Sequence, residues 1–193
     1  VTSRNAASYF SDGETYRYIW SNLLFNPYFS LPGVFEGNYY PITVNASLWS
    51  LRYEFWSYIV LLGIFSMVGN RGKTYLNIIL LLIFIDTALP TKIFLGGLGS
   101  NLQINLLPFS FALGVFFAFN AEELEVDIRT GFVFLVLLVV FHGTNLEPLV
   151  LILCASIVVL LISSHELIRQ IKFKYDISYG VYLWGFVVQQ LTF

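Results

Sequence analysis

Charge is scarce in this chain: Asp, Glu, Lys and Arg together make up 11% of its 193 residues. Soluble domains carry about 25%, so there is too little charge here to cover a water-facing surface. The formal net charge of −2 gives no basic face, which argues against nucleic acid as a partner. A single cysteine, Cys154, lies in an apolar run. That excludes a disulfide framework and a thiolate metal site, and leaves a small lipid-facing or core-facing residue. The two histidines, His142 and His165, sit at segment ends without the spacing of a metal motif, so no metal is expected. The opening residues, VTSRNAASYF, contain no apolar signal-peptide core. No internal repeat or low-complexity tract occurs. Gly96, Gly97 and Gly99 lack the lysine and helix of a phosphate loop.

What the chain has in abundance is apolar surface, at 57% hydrophobic and 18% aromatic residues. Residues 1–44 mix polar and aromatic types with the turn signals Asn26-Pro27 and Leu31-Pro32-Gly33. They read as an aromatic loop region at a membrane interface, with residues 16–25 as a short amphipathic helix. Residues 45–193 hold six apolar segments, at 48–68, 75–89, 104–119, 131–141, 148–163 and 177–193. A bilayer core takes about 20 helical residues. The first segment meets that length, and the second does if it extends to Leu95. The fourth is short unless it begins near Val126. The expected fold is therefore all-α, a polytopic transmembrane bundle of about six spans. Alternate breaks hold Arg71, Lys73, Arg129, Arg169, Lys172 and Lys174, while the opposite breaks hold Lys92 alone. That asymmetry puts the basic breaks in the cytoplasm and residues 1–49 outside. The acids Glu122, Glu123, Glu125 and Asp127 read as a solvated loop face.

The stretch 45–62, NASLWSLRYEFWSYIVLL, places ionisable residues at the mouth of an apolar helix, where they are costly and mark function by default. At helical spacing Ser50, Glu54, Ser57, Tyr58 and Leu61 share one face, and Trp49, Arg52, Tyr53 and Trp56 another. Glu54 is the candidate acid–base group, since partial burial among aromatics favours the protonated carboxyl. The competing role is a structural hydrogen bond or ion pair to another helix. Arg52 lies on a different face, from which it can snorkel to the headgroups. A second constellation is Asp176-Ile177-Ser178-Tyr179-Gly180-Val181-Tyr182-Leu183, with Asp176 placed to cap the last helix. Ser178, Tyr182, Gly185 and Gln189 would form its polar stripe, as a site lining or as glue between helices. Asp86 is either an intramembrane carboxylate or the end of a shorter helix. Asn45-Ala46-Ser47 matches a glycosylation acceptor and serves equally well at a helix start.

Leu31-Pro32-Gly33-Val34-Phe35, Asn45-x-Ser47-Leu48-Trp49-Ser50-Leu51-x-Tyr53-Glu54-Phe55-Trp56-x-Tyr58 and the 176–183 stretch with Gln189-Gln190 resemble, in that order, the bacterial acyltransferase family 3 proteins. The resemblance implies a multi-pass inner-membrane O-acyltransferase. Such an enzyme moves an acetyl or other short acyl group from acyl-CoA, its donor substrate, to a hydroxyl of a surface saccharide. No bound cofactor is implied. It assigns Glu54 a catalytic part, and Trp49, Tyr58, Ser178, Tyr179 and Tyr182 substrate-binding parts; Arg52, an ionisable residue of the same stretch, is a further substrate-binding candidate outside that carry-over. The family's helix with the essential histidine, its arginine-rich stretch and its final helix have no counterpart here. The chain is thus expected to be an internal fragment with membrane lipids and a saccharide acceptor as partners. A transporter or flippase segment, its polar stripes lining a path, is the alternative. A chain with a purely structural role is a third.

Overall fold

A computed structural model of the chain describes residues 2–68, 72–89, 91–93, 102–171 and 174–192. Arg71, Leu95, Lys172 and the glycines at 96, 97 and 99 lie outside them. The described residues are helical apart from turns and one isolated antiparallel bridge between Thr2 and Val34. The chain divides into two compact units, Val1–Trp56 with Phe173–Phe193, and Ser57–Lys172.

In the first unit, the region expected as an interfacial loop carries two helices, α1 (Ala6–Ser11) and α2 (Gly13–Leu23), the second over most of the short helix expected at 16–25. Each starts on a side chain that takes up a free backbone N–H: Asn5 accepts from Ser8, and Asp12 from Glu14. Asn22 ends α2 by donating to the Tyr18 and Tyr28 carbonyls and accepting from the Tyr28 N–H. Glu14 accepts from the Tyr28 hydroxyl and pairs with Arg17, which lies 4.6 Å over the Tyr28 ring. The Tyr28 hydrogen bond, and then Arg17, hold the Glu14 carboxyl below its ordinary value. The chain then turns through residues 26–45 into a 3-10 turn (Ala46–Trp49) and α3 (Leu51–Val68). α9 (Ser178–Thr192) packs against the 3-10 turn.

The second unit contains the rest of α3 with α4 (Gly72–Ala88), α5 (Leu102–Phe119), α6 (Ile128–Val140), α7 (Glu147–Ser164) and the short α8 (Glu166–Arg169). α4 pairs with α5, and α6 with α7. Leu76, 1% exposed, lies in the α4 core. Nearby, Asn77 and Asn120 exchange side-chain hydrogen bonds of 3.2 and 3.1 Å, and Lys73 meets Glu123 at 2.5 Å. Glu123 is solvated, as read from sequence, and pairs with Lys73 at the surface. Phe65 stacks on Phe119. A Cβ added at Gly131 of α6 would stand 2.7 Å from the Leu161 side chain, so glycine sets how closely α6 approaches α7. Val150, Cys154 and Ile157 form a buried helical stripe, and Cys154 is the core-facing residue of the two readings.

Of two expected helix limits, one moves and one holds. α4 ends at Ala88 rather than extending to Leu95, because Asp86 accepts the Ile93 N–H at 2.7 Å and turns the chain. Asp86 therefore marks a helix end. α6 starts at Ile128, ahead of Gly131 and two residues from Val126 as expected, because Asp127 is extended and caps the first turn through Thr130. Both histidines are boundary residues: His142 meets Glu147 at 2.9 Å in the α6–α7 turn, and His165 accepts the Leu167 N–H. Among the described residues α7 alone is long and apolar enough to cross a bilayer, and 22% of it is buried. The helices over 104–119 and 128–140 are apolar but shorter. The 13 residues of α6 rise about 20 Å, short of the roughly 30 Å hydrocarbon core.

Candidate functional site

The two sequence stretches singled out above meet in the first unit. Asn45 has a β-region backbone and caps the 3-10 turn, its Oδ1 accepting from the Ser47 N–H at 3.0 Å. Its Nδ2 donates to the Leu183 carbonyl on α9 at 2.9 Å. One side chain thus starts the turn and ties it to α9. One turn of chain later, the Ser50 and Tyr182 hydroxyls lie 2.6 Å apart. Both hydroxyls also reach the Ser47 carbonyl, Tyr182 at 3.2 Å and Ser50 at 3.4 Å, so the two share one backbone acceptor as well as each other.

Glu54 sits in the first turn of α3, with its N–H bonded to the Ser50 carbonyl at 3.0 Å. Its side chain is half-buried, and among the described residues no hydrogen bond or ion pair engages its carboxylate. Arg52 is exposed on another face and does not pair with Glu54. Ser50, Glu54, Ser57 and Leu61 form the covered stripe of α3, as the helical spacing predicts. Tyr58 departs from it: the residue is 58% exposed, and its ring packs edge-on against Phe111 of α5 in the second unit. Aromatic rings surround the start of α3. Trp49 and Tyr53 are 6.3 Å apart, and Phe25, at a φ of 55°, stacks on Phe55 at 4.4 Å.

At the start of α9, Asp176 accepts from both the hydroxyl and the N–H of Ser178, at 2.6 and 2.9 Å. These bonds, the hydroxyl first, hold the Asp176 carboxyl below its ordinary value. Ser178 and Tyr179 are exposed. The covered face of α9 runs through Leu183, Phe186, Val187 and Gln190, one position round from the expected stripe of Ser178, Tyr182, Gly185 and Gln189.

Compared with known protein families, curated proteins and solved structures, the chain matches none.

Gln190 is the residue the helical pattern missed. It is 2% exposed, and its Nε2 donates to the Tyr40 and Thr43 carbonyls at 2.7 and 2.5 Å. Asn38 in turn donates to the Gln190 carbonyl and side-chain oxygen. This clasp closes a loop with strained backbone: Phe35 and Ile42 hold φ values of 56° and 64°. A β-branched residue such as Ile42 in that region costs on the order of 1–3 kcal/mol. At the loop's start Gly33, φ 69°, lies against the chain's first residues; a Cβ there would stand 2.7 Å from Ser3 Oγ. The one hint in the sequence was the paired Gln189-Gln190 in an apolar helix. Among the described residues no cluster of His, Cys, Asp and Glu is arranged to hold a metal.

Proposed function

We propose that this chain is part of a membrane O-acyltransferase of the acyltransferase family 3 kind, moving a short acyl group from acyl-CoA to a saccharide hydroxyl. The observation that carries the reading is the Ser50–Tyr182 hydroxyl contact at 2.6 Å, joined by the Asn45–Leu183 bond. These bonds bring together the two stretches on which the resemblance rests. In the reaction, the acceptor oxygen attacks the thioester carbonyl. A C–O bond forms, the C–S bond breaks, and the hydroxyl proton ends on the thiol. Glu54 is half-buried in the first turn of α3 with an unengaged carboxylate, so it can accept a hydrogen bond from the attacking hydroxyl. Trp49, Arg52, Ser178, Tyr179 and Tyr182 are the substrate-binding residues of this reading. Tyr58 belongs with them only through the resemblance.

The six-span bundle and its bacterial inner-membrane location are parts of the same proposal. Large apolar side chains exposed along the helices support it, among them Met67, Val139, Leu151 and Trp184. The alternation of basic breaks supports residues 1–49 on the outer side. The test is Glu54→Gln in the producing cell, with O-acyl groups on the surface glycan measured by mass spectrometry. Acylation should fall about a hundredfold or more at unchanged protein level, in the range set by loss of an acid–base group. Unchanged acylation removes Glu54 from the mechanism. Unmodified glycan retained on one side of the membrane favours a transporter instead.

A further inference from the structure

The first unit holds a cleft of about 470 Å³, lined by Ser3, Gly33, Phe35, Glu36, Asn38 and Gln190 among others. That volume falls within the range of small-molecule sites. Its walls are the strained loop after Gly33, the first residues of the chain and the C-terminal turn of α9. We propose that this cleft binds a neutral, hydroxyl-rich ligand, a saccharide segment, as a subsite for the acceptor.

The polar groups of the cleft favour a ligand that donates hydrogen bonds. Ser3 gives its hydroxyl proton to Glu36 Oε2 at 3.0 Å, which leaves Glu36 Oε1 to accept from a ligand. The Asn38 amide nitrogen is committed to Gln190, so Asn38 presents its oxygen. The Gln190 nitrogen is committed to two carbonyls. An acceptor-rich cleft with a carboxylate repels phosphates and carboxylates, which turns away the acyl-CoA nucleotide. Phe35 and Leu191 add apolar surface against which the C–H face of a sugar ring can lie. The bare Cα of Gly33 keeps Ser3 in place at the wall.

The assignment rests on the saccharide-acceptor reading above, and the experiment separates the two. The intact protein in nanodiscs is titrated with de-O-acylated oligosaccharide released from the producing cell's own surface glycan, with binding read by saturation-transfer NMR. Glu36→Ala and Glu36→Gln should each weaken binding about tenfold or more, as loss of a hydrogen bond to a charged group does. Ser3→Ala removes the wall hydrogen bond but keeps the carboxylate, and should stay within about twofold of the parent, less than one such bond. Spermidine should not compete. The proposal is overturned if the parent does not bind the oligosaccharide, if the Glu36 variants bind as the parent does, or if spermidine displaces it. Glu36 is exposed, and a melting curve for each variant identifies any loss of fold. If one Glu36 variant unfolds, the other decides. Glu36-dependent binding with identical glycan O-acylation in parent and deletion cells would instead refute acyl transfer and leave the subsite standing.

Discussion

At the scale of single residues, the polar side chains with most influence hold backbone rather than face solvent. Gln190 satisfies two carbonyls and receives Asn38, so its replacement leaves several buried groups without partners at once. Gln190→Leu should destabilise the first unit by about 1–3 kcal/mol, the cost of buried polar groups left unsatisfied. Thermal unfolding in detergent, followed by tryptophan fluorescence, measures it, and a melting temperature equal to the parent's would contradict the clasp. Glu54 contrasts with Gln190. It is half-buried with an unengaged carboxylate, so Glu54→Gln should leave stability nearly unchanged while abolishing acylation. Both glutamines of the pair at 189 and 190 were visible in the sequence. Helical spacing alone could not say which faces inward, because the deciding partners are carbonyls of a loop some 150 positions away.

At the scale of elements, short polar side chains set where helices begin. Asp127 starts α6 by accepting from the N–H and the hydroxyl of Thr130, at 2.8 and 3.0 Å. The backbone bond first, then the hydroxyl, lowers its carboxyl below the ordinary 3.8. A carboxyl lowered in the folded state contributes stability that is complete above the unfolded value and fades as pH falls through the folded one. The first turn of α6 should therefore lose amide-exchange protection in acid below about pH 4, set by the unfolded Asp value. Asp127→Asn should keep the cap and flatten that acid dependence. Equal acid sensitivity in the variant would place the effect elsewhere. The cap at Asp127 also explains why α6 begins at Ile128, ahead of its apolar run at 131, which hydropathy does not register.

For the whole molecule, scarce charge and abundant exposed apolar surface support the proposed membrane environment. The proposed orientation predicts labelling by a membrane-impermeant maleimide. Cys154 is the native cysteine and is buried, so single introduced cysteines report cleanly. In intact spheroplasts Tyr39→Cys, at a position 78% exposed, should label, and Arg129→Cys should label only after lysis. Labelling of both before lysis would break the six-span topology.

Composition and periodicity by themselves determined the helical class, the inner stripe of α3, the cap at Asp176 and the two candidate stretches. Those are local properties, written in spacing and side-chain type. Only the tertiary structure decided that the two stretches meet through Asn45, Ser50 and Tyr182, that Gln190 rather than Gln189 turns inward, and that a cleft opens beside Glu36. Each depends on which distant backbone groups need a partner, and no one-dimensional pattern encodes that.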